Sequence, residues 1–97
     1  MSLNPLVADA VKGTIECLGK GEYEAAGGKL FFLWENIEDE ICDPADKTQA
    51  AELVNKASAL ILGDDPYSIE PLRVYSLSAN ELAEAISYLD ALLKIVE

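Results

Sequence analysis

The chain contains no histidine. That absence excludes Ser-His-Asp and Cys-His catalysis, the usual histidine ligation of zinc and haem, and the Glu-x-x-His motif of di-iron helical bundles. Cysteine is scarce as well. Cys17 and Cys42 are too few for a disulfide scaffold, and neither lies in a Cys-x-x-Cys motif. Positive charge is the third scarcity: seven Lys and Arg face eighteen Asp and Glu, for a formal charge of −11. Such a field repels nucleic acid phosphates and anionic membrane surfaces, and it attracts basic proteins and cations.

No apolar run approaches the roughly 20 residues needed to cross a bilayer. The longest is Leu30-Phe31-Phe32-Leu33-Trp34. No basic region precedes an apolar run at the start, so the expected location is cytoplasmic. Gly19-Lys20-Gly21 lacks the spacing and the preceding strand of a phosphate loop. Asp64-Asp65 and the 35–46 segment lack the EF-hand spacing and its glycine turn. The expectation is no enzyme activity, no metal and no cofactor.

What is present is a helical period. Half of the 97 residues (51%) are hydrophobic, enough for one core, and the length suits a single domain over 1–97. Asn4-Pro5 reads as an N-cap followed by proline at the first helical position. Leu6, Ala10, Gly13 and Cys17 then share one face, with Val7, Val11, Ile15 and Leu18 beside it. Gly19-Lys20-Gly21 ends this helix. A second helix is expected from about Glu22 to Cys42, with Gly27, Leu30, Trp34, Ile37 and Ile41 at spacings of three and four. Gly27-Gly28 is its weak point, since glycine costs roughly 1 kcal/mol against alanine inside a helix. The pair reads either as a place where another helix comes close or as a turn before a short strand over 30–34; the continuing period favours the helix.

Asp43-Pro44 begins a third helix, with Thr48 as an alternative cap. Ala50, Leu53 or Val54, Ala57, Leu60 and Ile61 form its apolar face, and Gly63 its end. Ser78 and Glu81 make a capping box for the fourth, with Leu77 and Leu82 placed for a hydrophobic staple. Leu82, Ile86, Leu89, Leu93 and Val96 follow 4-3-4-3 spacing, and Ala85, Tyr88, Leu92 and Ile95 lie alongside. A face this wide suits a central helix or one shared with a second copy. Between the third and fourth helices, residues 64–77 are irregular. Asp65-Pro66 suits a short helical turn and Leu72 to Tyr75 an extended one.

The expected fold is all-α: a compact antiparallel bundle of about four main helices with one long irregular connection over 64–77. A straight second helix would hold Cys17 and Cys42 roughly 25–30 Å apart, beyond disulfide reach, so both are read as thiols.

Glu35, Glu38, Asp39, Glu40, Asp43 and Asp46 fall within twelve residues, without a Lys or Arg among them. Anions at a helix C-terminus oppose its dipole. Asp43 and Asp46 are favourably placed at the next helix start, but Glu38, Asp39 and Glu40 have no such local support. Uncompensated local costs are where function is expected. These six residues are the candidate partner-binding set, with Trp34 and Tyr23 as conceivable aromatic anchors. The expected function is a small acidic protein-binding module, an inhibitor of the immunity or antitoxin type that covers a basic partner such as a toxin or nuclease. A structural subunit that homodimerises through the C-terminal helix is the second reading. A small-ligand-binding domain is the third, with Tyr67, Arg73 and Tyr75 as contacts in a lid; the alternative for Arg73 is a structural ion pair.

Overall fold

In a computed structural model, the described residues are 5–41, 43–63, 67 and 72–96. They form helices α1 (Pro5–Lys20), α2 (Tyr23–Glu40), α3 (Pro44–Ile61) and α4 (Ala79–Val96), with a 3-10 turn at Arg73–Ser76. Each helix packs on its two neighbours in the order α1, α2, α3, α4 and back to α1. The radius of gyration is 12.4 Å, close to the value of about 12.5 Å for a compact chain of this length.

Local chemistry explains where the helices stop and start. Gly21 ends α1 at a positive φ of 78°, and the Glu22 and Gly21 amides donate to the Cys17 and Leu18 carbonyls, a Schellman closure. Gly63 (φ 94°) does the same for α3, where the Leu62 and Gly63 amides both reach the Ser58 carbonyl. Asp43 caps α3 through its own carboxylate, accepting from the Ala45 and Asp46 amides at 2.8 and 3.3 Å. Thr48 is no cap, since its hydroxyl donates to the Pro44 carbonyl within the helix. The capping box of α4 is formed reciprocally, Ser78 amide to Glu81 and Glu81 amide to Ser78 Oγ, each at 3.2 Å. Asn4 and Cys42 lie outside the described residues, as does the Asp65-Pro66 turn; Cys17 is a buried thiol.

The core uses most of the expected apolar positions, with departures at Leu6, Trp34 and Leu93. On α1, Val7, Val11, Thr14 and Leu18 are buried, whereas Leu6 is 64% exposed. Thr14 tolerates burial because its hydroxyl donates to the Ala10 carbonyl at 2.7 Å. On α2, Leu33 is buried beside Ala26, Leu30 and Ile37, and Trp34 is half-buried. On α4, Ala85, Leu89, Leu92 and Val96 point inward, with Leu82, Ile86, Tyr88, Leu93 and Ile95 packed at the margins. Its solvent face is polar or small, from Asn80 and Glu84 to Asp90 and Lys94. The wide face is therefore used largely inside the bundle.

The 30–34 run is helical, not a strand. What approaches Gly27 is not another helix backbone but side chains of the connection and of the end of α3: a methyl there would meet Leu72 Cδ1 at 3.1 Å and Leu62 Cδ2 at 3.4 Å. Gly28, one residue on, would meet nothing within 4 Å. Gly28→Ala is thus expected to stabilise the protein by roughly 0.5–1 kcal/mol, and Gly27→Ala to gain distinctly less. Thermal unfolding of the two single variants checks this; equal gains would contradict the packing at Gly27. Leu72 to Tyr75 is not extended either. Val74 is 3% exposed and roots the 3-10 turn, closed by the Leu77 amide on the Val74 carbonyl.

Candidate protein-binding surface

The acidic residues sit where α2 ends and α3 begins. Glu35, Glu38 and Asp39 are exposed on the last turns of α2 and Glu40 is half-buried. No basic residue occupies the last turn of α2, so its negative pole faces like charge. Asp43 is occupied in part as the α3 cap. Asp46 stands in the first turn of α3, where its charge is favourable. Among the described residues, none of the six makes an ion pair.

The scarce cations are placed elsewhere. Lys20 pairs with Glu16 at 2.8 Å and Lys56 with Glu52 at 3.1 Å, each one turn apart on its own helix. The hydrogen bond from Lys20 holds the Glu16 carboxyl below its usual range and raises the Lys20 ammonium in return. Glu52 raises Lys56 in the same way. Lys56 also lies over the Tyr88 ring, 5.7 Å from its centre. The Tyr88 hydroxyl donates to Glu84 at 2.6 Å, which raises its pKa. Lys47 and Lys56 both share with Glu38 an open groove of about 610 Å³ between α2 and α3. The remaining wall is α3, from Thr48 and Ala51 to Ala59. Sequence reading did not foresee this groove, since it depends on which faces of α2 and α3 meet.

Tyr67, Arg73 and Tyr75 are not brought together. Tyr67 is 64% exposed and lies edge-on to Phe31 (5.4 Å) and Trp34 (5.2 Å). Tyr75, 59% exposed, lies edge-on to Tyr23 at 5.4 Å. The two anchor points are 8–11 residues apart on α2, or about 12–16 Å along its axis. Arg73 is exposed and makes no ion pair among the described residues. The described residues Tyr67, Leu72 and Tyr75 thus lie on one face of α2, against Phe31 with Trp34, Gly27 and Tyr23 respectively.

A second groove, of about 420 Å³, lies between α1 and α2 and is lined by Leu6, Asp9, Ala10, Gly28, Lys29 and Phe32. The sequence pattern does not reveal it, since Leu6 shares a helix face with Ala10 and Cys17 and the period alone does not say which of two adjoining stripes faces outward. The available signal was Phe32, an apolar residue one turn from Gly28 on the face opposite Leu30 and Ile37.

Among the described residues, no group of three or more acidic or cysteine side chains is placed to hold a metal ion, and no helix is long and apolar enough to cross a membrane. Comparison of the chain with protein-family models, curated proteins and solved structures gives no match in any of the three.

Proposed function

We propose that this chain is a small acidic protein-binding module that docks a basic partner through the end of α2 and the start of α3. In its finer form the module is an inhibitor of the immunity or antitoxin type, covering the nucleic-acid-binding surface of a toxin or nuclease. The observation that carries the reading is the exposed set Glu35, Glu38 and Asp39 on the last turns of α2, without an ion-pair partner among the described residues. Their charges oppose the helix dipole and one another, and the lysines that line the groove beside Glu38 offset that cost only in part. Complementary charge on a partner would accelerate encounter and fix orientation.

The test is affinity capture of the tagged protein from its native lysate, first at low and then at high salt, with mass spectrometry of the eluates. A stoichiometric basic protein released by salt is the expected result, because exposed charge pairs are screened beyond about 10 Å at 0.1 M. Capture of nothing but the protein itself would overturn the reading and return the acidic set to a solvated face.

A further inference from the structure

We infer that the basic partner docks with an arginine side chain, set against the Trp34 and Tyr67 rings and paired with Glu35 or Glu38. This rests on the docking proposed above and names the residue type that carries it. An aromatic row runs along one face of α2. Tyr23 meets Tyr75 at its start, and Phe31 and Trp34 meet Tyr67 further on. Five of the chain's seven aromatic residues are gathered on this one surface. The surface is not closed over: Tyr67 is 64% exposed, and Phe31 and Trp34 are half-buried. Trp and Tyr are the residue types enriched where a few side chains carry most of a binding energy.

What stands beside the rings decides the occupant. One turn on from Phe31 and Trp34 are Glu35 and Glu38. Residues four apart on a helix are neighbours, with Cβ atoms about 5–6 Å apart. Both carboxylates are exposed, and neither makes an ion pair among the described residues. Glu38 shares its groove with Lys47 and Lys56, whereas Glu35 does not line that groove. The chain's own arginine, Arg73, belongs to the turn that carries Tyr75, at the other end of the row. Aromatic rings next to such carboxylates complement a cation with a flat, weakly hydrated face. A guanidinium is that group: it stacks on a ring while its N–H fork meets a carboxylate. A lysine ammonium is compact and strongly hydrated, so it would use the carboxylates and gain little from the rings. An uncharged apolar side chain would cover the rings and strip water from the carboxylates without replacing it.

The experiment titrates the full chain with oligoarginine and oligolysine peptides of equal length, by calorimetry at one ionic strength. Any cationic peptide is drawn to a chain of charge −11, so the ratio of the two affinities is the test. Oligoarginine is expected to bind about tenfold more tightly. Tyr67→Leu should bring oligoarginine down to the affinity of oligolysine. Glu35→Gln combined with Glu38→Gln should weaken both peptides by about fivefold. All three positions are exposed, and circular dichroism checks the fold of each variant. Equal affinity of the two peptides for the parent chain would overturn the inference and leave the acidic docking surface standing. So would an arginine preference that survives Tyr67→Leu. Binding of neither peptide would overturn it as well, with the docking of a basic protein still decided by capture at low and high salt.

Discussion

Replacing Glu38, Asp39 and Glu40 together with lysine is expected to stabilise the isolated protein by about 1–3 kcal/mol, while slowing capture of a basic partner by roughly tenfold or more. Most substitutions destabilise, so a triple variant that gains stability would be informative in itself. The argument is electrostatic. These residues end α2, its last turn holds no basic side chain, and each charge at a helix end contributes about 0.3–1 kcal/mol when exposed. Reversal converts three unfavourable terms into favourable ones. Part of the gain is lost at Glu38, because Lys47 lines the same groove. Asp46→Lys serves as the control of opposite sign, since the same reversal at the start of α3 removes a favourable charge. Urea unfolding of both variants decides the first half. A triple variant less stable than the parent would mean that these carboxylates support the fold, and the case for a docking surface would fall with it. The second half is read from association rates with the captured partner. An unchanged rate would move the interface elsewhere.

Leu92→Ala is expected to cost about 2–5 kcal/mol, and Leu93→Ala about half of that or less. Leu92 is fully buried, whereas its neighbour lies at the margin of the core. Removing the first leaves a cavity walled by other helices; removing the second opens a depression that solvent and nearby side chains can fill. Urea unfolding of the two variants, with the denaturant slope held in common, reads the difference directly. Equal losses would mean that α4 is rotated from the orientation described.

That pair also shows where sequence legibility stops. Helix ends were readable because their signals are local: Asp43 before Pro44, Ser78 three residues before Glu81, and a glycine past α1 and α3. Helix rotation was not. Leu33 adjoins Trp34 and Leu92 adjoins Leu93, so each helix offers two apolar stripes about 100° apart, and only the neighbouring helices choose between them. The same ambiguity on α1, between the stripe of Leu6 and that of Val7, hides the α1/α2 groove. The acidic set was visible as composition, yet its relation to Lys47 required knowing that Glu38 faces α3. The connection was least legible. Tyr67, Leu72 and Tyr75 carry no periodicity of their own, and what positions them is a row on α2 spaced 23, 27, 31 and 34.

That row has an optical consequence. Trp34 is the sole indole in the chain, and it is touched by the Tyr67 ring of the connection as well as by Phe31 of its own helix. Its emission therefore reports on whether Tyr67 lies against α2 as well as on whether the bundle is intact. The far-ultraviolet dichroism of the four helices reports on the bundle alone. The protein thus carries two built-in signals with different origins, and a divergence between them would mark the Tyr67 ring leaving Trp34 while the helices stay packed.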